Sequence, residues 1–372
     1  MNSGIDEHDS LGAVDAGRRK ILKIVGAGAV ASAISPAFAA ARPLRWGVVG
    51  TGGIANGMAN MIKAADNAEL AAVASRKLET AKEFANKHGV PHAFGSWAEM
   101  LSSKSIDAVY VATPTSVREE VCLFAAAKGK HVLGEKPFAN LPSLKRITAA
   151  CRQNGVGFMD GTHFVHHPRT AQLRNTLREK IGFPVSVDSA FRFNLPDADN
   201  IRLNPELEPY GAIGDAAWYN MRAAVEYTAP GVKLVGVDAY VRRDKRTRAV
   251  IAGSGIIAFD DGSTTNWDCA FDAGAACMDL RISGPRGDFG LRDFVFIPGN
   301  GPAEYDYRKG GFGGAPERLS VASGKSAAAL MFEDFAAMVG DAERFEASVT
   351  ASERTQEWLD AIWNRGVQNE RR

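Results

Sequence analysis

Residues 44 to 57, LRWGVVGTGGIANG, join an apolar run to glycines 50, 52 and 53 and then to helix-forming residues. A strand that turns through G-x-G-x-x-A straight into a helix opens a dinucleotide-binding βαβ unit. The first glycine makes the tight turn, the second lets a pyrophosphate approach the backbone, and the helix start points free N–H groups at it. The continuation fits. Ile54, Met58, Met61 and Ile62 share one helical face, and AELAAVASR at 68–76 reads as a buried second strand. Strand and helix then alternate to about Asp160 through LETAKEFANKHG, DAVYVAT, REEVCLFAAAKG, HVLGEKP, LPSLKRITAACRQNG and VGFMDGT. This grammar predicts an α/β architecture, a doubly wound parallel (Rossmann) sheet over 40–163 that takes ligands at the carboxyl ends of its strands.

A rival fingerprint precedes it. ILKIVGAGAVASA, 21–33, sets Gly26, Gly28 and Ala31 in the same order, but Pro36 breaks the run before a helix can pack on a sheet. Its flanks are those of an export signal: Arg18-Arg19-Lys20 before a moderately apolar core, then small residues at Ala37 and Ala39 for cleavage. Twin arginines in this place resemble a twin-arginine (Tat) signal, which predicts a signal peptide over 1–39 and a periplasmic protein exported folded. The plain alternative is a tail with a chance arginine pair. The core is too short, and too rich in Gly and Ala, for a stable membrane anchor. Charge is balanced, with Lys+Arg 44 against Asp+Glu 43. Residues 1–39 hold four acids and four bases, so the processed chain keeps the same +1. Neither nucleic acid nor an anionic membrane is an expected partner. The basic run RRDKRTR, 242–248, reads as a solvated strand end or turn.

From about Val185 the pattern changes. PVSVDSAFRFN, VKLVGVDAYVRR, AVIAGSGIIAFDDGST, TNWDCAFD, CMDLRISGPRGDFGL and FVFI read as strands joined by hairpin signals such as Asp261-Gly262. Helical patterns flank them in GDAAWYNMRAAVEYT, AAALMFEDFAAMV and SERTQEWLDAIWNRGVQ. Residues 164–372 are thus expected to form an α+β domain, a large open and mostly antiparallel sheet with helices on one side. The four cysteines show no metal-ligand spacing. Cys122 and Cys151 are read as core residues, whereas Cys269 and Cys277 flank the turn-like DAG and are placed to face each other across a hairpin, where they can oxidise outside the cytoplasm.

Four motifs now stand in order: G-T-G-G-I-A at 50–55, T-P-T at 113–115, GKHVLGEKP at 129–137 and G-D-x-x-x-Y at 214–219. Together they resemble the glucose-fructose oxidoreductase / inositol dehydrogenase (Gfo/Idh/MocA) family over nearly all of the processed chain. The usual D-x-G-x-H pattern of that family reads Asp215-Ala216-Ala217-Trp218-Tyr219 here, so a phenol replaces the imidazole. Tyrosine at this place is similar to the branch holding glucose-fructose oxidoreductase, aldose-aldose oxidoreductase, xylose dehydrogenase and dihydrodiol dehydrogenase. FMDGTHFVHHPRT and NIRLNPELEPYGAIGD resemble that branch as well.

The resemblance implies a homo-oligomer, dimer or tetramer, formed through the C-terminal sheet. It also implies Lys136, Tyr219 and Asp215 as catalytic residues, with Lys136 turned toward a nicotinamide by a cis bond to Pro137. Asp215 and Tyr219, at i and i+4, share a helix face. Tyr219 takes the proton from a sugar hydroxyl, Lys136 stabilises the phenolate, and Asp215 orients the sugar together with His163 and Arg202. Gly50, Thr51, Gly52, Gly53, Ile54, Thr113, Thr115, Glu135 and Lys136 are expected around the cofactor. An NAD enzyme ends its second strand in an acid. This chain has Ser75, Arg76 and Lys77 there, with no carboxylate to repel a 2'-phosphate, and NADP(H) is favoured. The alternative for Arg76 and Lys77 is an ordinary solvated turn. His163, His166 and His167 crowd one segment, yet no carboxylate or cysteine completes a metal set, and none is expected.

Export sharpens the function. No NADP pool exists outside the cytoplasm, so a tightly held cofactor, reduced by one sugar and reoxidised by another in a ping-pong cycle, is the consistent reading. An aldose is oxidised at carbon 1 to an aldonolactone and a second sugar carbonyl becomes an alditol. Only Ala40 to Leu44 lie between the expected cleavage site and the first strand, so retention rests on pocket contacts. Two alternatives remain: an aldose 1-dehydrogenase with exchangeable NADP, and a nicotinamide-dependent glycosidase.

Overall fold

Apolar residues come in unbroken runs in the first half, as in Ala108–Val111, where all four are buried, because helices cover both faces of the sheet. The computed structural model describes residues 42–370 except Pro298, Phe312 and Gly313. The export signal assigned to 1–39, with Arg18, Arg19, Ala37 and Ala39, lies outside them. The chain runs β1 (Leu44–Val49), α1 (Gly53–Ala64), β2 (Ala68–Ala74), α2 (Leu78–His88), β3 (His92–Phe94), α3 (Trp97–Ser102), β4 (Ala108–Val111), α4 (Thr115–Ala127), β5 (His131–Gly134), α5 (Leu141–Gln153) and β6 (Phe158–Asp160). All six strands are parallel in the order β3-β2-β1-β4-β5-β6. The winding therefore reverses between β1 and β4, where such sheets open a crevice. Gly50 stands at that point with φ of 110°, and a Cβ there would lie 2.9 Å from the Ala112 carbonyl oxygen, so only glycine fits.

The second half contains α6 (Pro168–Lys180), β7 (Ser186–Asn194), a π-helical turn (Ile213–Ala217) leading into α7 (Trp218–Tyr227), and β8 (Leu234–Arg243). It continues through β9 (Val250–Phe259), β10 (Thr264–Ala270), β11 (Asp272–Gly284), β12 (Gly287–Leu291), β13 (Ala303–Lys309), β14 (Glu317–Val321), α8 (Ala327–Met338) and α9 (Ala342–Glu370). The eight strands order as β14-β13-β12-β11-β7-β10-β9-β8. Their pairs are antiparallel except β7 with β10. The hairpin expected at Asp261-Gly262 joins β9 to β10, with Gly262 at φ of 84°. RRDKRTR closes β8 and turns into β9, with Arg242 paired to Asp272 and Arg243 to Glu370.

Two expectations are corrected. FVFI, 294–297, forms no strand: Phe294, Val295 and Ile297 are buried and only Phe296 is exposed, which is not the in-out alternation of a half-buried strand. Cys269 and Cys277 do not face each other. Strand β7 lies between their strands, with Cys269 beside Phe191 on one side and Cys277 beside Arg192 on the other. Two strand spacings, about 10 Å, exceed the reach of a disulfide, and both thiols are free.

The C-terminal helices do not stay with the second sheet. Phe332 and Phe335 of α8 pack edge-on against Trp46 of β1, with ring centroids 5.0 and 4.9 Å apart. Helix α9 runs along β8, α7 and α5, and its Phe345 sits so close to Gly157 that a Cβ there would lie 2.2 Å from the ring. Both sheets and these helices form one compact unit, Arg42–Arg372.

Candidate active site

The nucleotide end starts at α1. Gly52 is its N-cap, no side chain among the described residues caps it, and its first turn holds no acid, so the leading N–H groups remain available to an anion. A Cβ built on Gly52 or Gly53 meets nothing within 4 Å, so open space lies over this turn, and Ile54 beside it is exposed. The Thr51 hydroxyl is 3.4 Å from that of Ser75, which links the fingerprint to the end of β2, where Arg76 and Lys77 are exposed. Thr113 and Thr115 follow β4 across the crevice, and the Thr113 hydroxyl is buried without a hydrogen-bond partner among the described residues. A glycine-lined turn, an uncapped helix start and flanking hydroxyls suit a dinucleotide pyrophosphate. When bound, the nicotinamide of such a dinucleotide supplies hydride chemistry.

The chemistry-bearing residues gather at the carboxyl end of β5. Lys136, joined to Pro137 by a cis bond, donates from Nζ to the Asp215 carbonyl oxygen at 2.8 Å and to Asp215 Oδ1 at 2.9 Å. Arg202 Nε donates to the other carboxylate oxygen, Oδ2, at 2.7 Å. Burial opposes ionisation of Asp215, but the charges of Lys136 and Arg202 outweigh it and hold the carboxyl well below the usual range. The Lys136 ammonium also lies 4.9 Å from the centroid of the Tyr219 ring. Asp215 and Tyr219 thus share a side as expected, although Asp215 belongs to the π turn and Tyr219 to the α-helix after it.

Tyr219 is 5% exposed, and burial, then the charges of Glu135 and Asp215, keep its phenol protonated far into the alkaline range. Its hydroxyl lies 3.3 Å from His163 Nε2. Burial, then the Lys136 and His166 charges, push His163 down to about 3, so the imidazole is neutral at physiological pH. The other two histidines go elsewhere: His166 Nδ1 is 2.8 Å from Asp334 Oδ2, and His167 Nε2 is 3.1 Å from the Ser323 hydroxyl. Among the described residues no His, Cys, Asp and Glu group gathers as a metal site.

Several supporting residues have no motif to announce them. Tyr110, fully buried in β4, donates its hydroxyl to Glu135, whose carboxyl burial pushes up. Glu208 accepts from the Thr115 amide at 3.1 Å and its hydroxyl at 2.6 Å, capping α4 from the opposite half of the chain. Arg118 is buried beneath, donating to Thr115 Oγ1 at 3.2 Å and to the carbonyls of Thr113 and Pro137. The one hint in the sequence is a charged residue on the otherwise apolar inner face of REEVCLFAAAKG. Behind Tyr219, Asp160 binds Arg222 Nη1 at 2.8 Å, the Thr162 amide at 2.8 Å and the Ser352 hydroxyl.

The chain is similar to known proteins to differing extents. The Gfo/Idh/MocA family model, described as an oxidoreductase family with an NAD-binding Rossmann fold, matches residues 44–162. A D-xylose 1-dehydrogenase (NADP(+)) of Haloferax volcanii is 33% identical over 242 residues, 62% of this chain and 70% of that one. A dTDP-3,4-didehydro-2,6-dideoxy-alpha-D-glucose 3-reductase of Actinomadura kijaniata is 31% identical over 227 residues, 60% and 67% of the two chains. Among solved structures, a 3-ketoreductase from Actinomadura kijaniata in complex with NADP and TDP-benzene aligns with a TM-score of 0.79 at 25% identity, covering 86% of this chain and 97% of that one. The aldose-aldose oxidoreductase of Caulobacter crescentus, at 22% identity, has the same fold, with a TM-score of 0.77 over 88% and 98% of the chains.

Proposed function

Because the chain belongs to the Gfo/Idh/MocA family of nicotinamide-dependent oxidoreductases, we propose that it is an NADP-dependent aldose oxidoreductase of the periplasm that couples two sugars. It oxidises an aldose at carbon 1 to an aldonolactone and reduces the carbonyl of a second sugar to an alditol, keeping its cofactor bound between the two. The observation that carries this reading is Lys136, fixed by both a carboxylate and a carbonyl oxygen of Asp215 and lying over the Tyr219 ring.

The residues divide the work as follows. Asp215, held by Lys136 and Arg202, fixes where the ammonium sits and offers polar atoms to sugar hydroxyls. The reductive half leaves Tyr219 as phenolate, stabilised by the Lys136 cation over its ring, and in the oxidative half that phenolate takes the proton of the O1 hydroxyl, so the phenol is restored between the two halves. In the reductive half, Tyr219 gives a proton to the carbonyl oxygen. One C–H and one O–H hydrogen leave the first sugar and the same two arrive on the second, so no outside oxidant or reductant is needed.

NADP is favoured over NAD by Ser75, Arg76 and Lys77 at the end of β2, where no carboxylate stands to repel a 2'-phosphate. The names of the Haloferax relative and the ketoreductase complex point the same way. Periplasmic placement rests on Arg18-Arg19 and the segment after them. Changing both arginines to lysine should leave the precursor in the cytoplasm, and undiminished periplasmic activity would refute the targeting.

Cofactor retention has its own test. Enzyme purified from the periplasm should carry a nucleotide with the mass of NADP(H). Given an aldose alone, it should show one turnover of reduced-nicotinamide absorbance that stays with the protein on gel filtration and bleaches when a second carbonyl sugar is added. The similarity to a D-xylose 1-dehydrogenase favours a second reading, an exchangeable cofactor. Nucleotide that washes out, with lactone formed one for one with added NADP, would establish that reading instead.

A further inference from the structure

Phe296 is an aromatic ring left out of the core in a segment that is otherwise pinned. Its neighbours Phe294, Val295 and Ile297 are buried, whereas Phe296 is 57% exposed. Arg169, itself buried, holds the start of the segment through Asp293, with Nη1 to Oδ1 at 2.6 Å and Nη2 to the carbonyl at 3.1 Å. The Phe294 amide donates to the Met278 carbonyl at 3.2 Å, and the Ile297 carbonyl accepts from Ala327 at 3.3 Å. Phe294 packs edge-on against Phe164 at 5.7 Å. The segment is thus anchored on both sides of the one ring it exposes, and its exposure is not the slack of a loose loop.

The position of that ring is informative. Phe296 stacks on His163, with centroids 5.6 Å apart and planes 21° from parallel, and makes a T-shaped contact with Phe191 at 5.9 Å. His163 in turn lies beside Tyr219, and Phe191 also touches the Tyr219 ring edge-on at 5.6 Å. Phe296 lies nearly parallel to the His163 imidazole and remains 57% exposed, so the stack leaves much of its apolar surface uncovered. Polar groups for hydroxyls, Asp215, Lys136 and Arg202, gather at Tyr219, and the exposed Phe296 ring stands one residue away from it, across His163.

The geometry points to Phe296 as the platform on which the sugar ring stacks, which makes it a specificity-determining residue for aldoses in the pyranose form with equatorial hydroxyls. In such a ring the axial C–H bonds collect into an apolar face, and hydrogens on oxygen-bearing carbons carry the partial positive charge that the negative face of an aromatic ring attracts. An axial hydroxyl on that face would lift the ring from the platform and leave a polar group against carbon. An open-chain polyol offers no such face. This inference rests on the aldose reading above and names the shape of sugar that the site takes.

The test is steady-state kinetics of the full-length, processed enzyme with xylose and glucose, and with epimers of each that place one hydroxyl axial. Phe296→Ala should raise KM for xylose and glucose by about three- to tenfold, the scale of an aromatic stacking contact, with kcat within about twofold. The variant should also prefer xylose and glucose less strongly over the axial epimers. Phe296→Trp should keep the wild-type KM and preference. An unchanged KM in Phe296→Ala, or a loss confined to kcat, would overturn the inference, the latter because it would mean the ring only holds His163 in place. If the wild type oxidises no aldose at all, the aldose reading fails instead, and the two failures are distinct.

Discussion

Replacing Lys136 by methionine should lower both half-reactions of the proposed two-sugar cycle by about 10²–10⁴-fold, the range of a positioned acid-base group, while leaving the fold intact. Among the described residues the ammonium is the one cation that touches Asp215 through two oxygens and also lies over the Tyr219 ring. Methionine keeps the length of the side chain and removes the charge, and Asp215 retains Arg202 at 2.7 Å, so no buried carboxylate is stranded. Tyr219→Phe should cost less, because the Lys136 ammonium stays held by Asp215 beside the ring and can partly take over the proton's path. Single-turnover absorbance on aldose addition, then on addition of the second sugar, reads each half separately. A Lys136→Met enzyme within tenfold of wild type in either half would remove Lys136 from the chemistry.

The largest loss of stability is expected at Asp160. Asp160→Ala strips a buried guanidinium, Arg222, of its closest partner and leaves it, among the described residues, only Glu226, 2.9 Å from Nε. It also removes the acceptor for the Thr162 amide and one of the two acceptors at the Ser352 hydroxyl, which keeps the Ser348 carbonyl at 2.9 Å. Breaking one side of a buried pair costs about 3–5 kcal/mol, and the surviving Glu226 contact puts this case near the lower end. Denaturant unfolding at neutral pH measures it, and a loss under about 1 kcal/mol would show that the network is dispensable. The pH dependence has a definite sign. Burial opposes ionisation of Asp160, but Arg222, Ser352 and Thr162 more than offset it and hold the carboxyl below its ordinary value. A depressed folded-state pKa gives stability that is complete above the unfolded value of about 3.9 and is lost as pH falls through the folded one. The variant should therefore unfold less steeply with acid below about pH 4 than the wild type, the remaining slope owing in part to Asp215, which is shifted the same way.

The nucleotide half was readable because its signals are local and redundant: apolar runs, glycine turns and helical faces repeat every few residues, and each confirms its neighbours. What escaped there was short, as with β3, three residues long, and α3, six residues long. In the second half the misreadings have a different cause. FVFI has the composition of a strand, but its residues are buried for contact with Phe164 and Met278 rather than for a ladder. Strands β14, at the sheet edge, and β13 beside it are polar in sequence, which hides an apolar pattern. Cys269 and Cys277 look paired because their strands are consecutive, and no local feature shows that β7 sits between them. The family resemblance named Lys136, Asp215, Tyr219, His163 and Arg202, and spacing added only that Asp215 and Tyr219 share a helix face. Both were blind to Tyr110, Arg118, Glu208, Asp160 and Phe296, whose meaning lies in partners far along the chain.

Helix α8 carries a lesson for anyone recombining such chains. Met331, Phe332, Phe335 and Met338 share a hydrophobic cluster with Trp46, Val48, Ala55, Met58 and Ala59, although more than 260 positions separate them in the sequence. A crossover at residue 163 treats the two halves as cassettes, yet it strands the cover of β1 and α1 on the wrong fragment. A chimera that borrows another substrate half must carry its own residues 327–349 back as a third piece, matched to the nucleotide half they cover. Inheritance of new sugar preferences in this architecture is therefore easier by changing loops, such as the one that bears Phe296, than by exchanging domains.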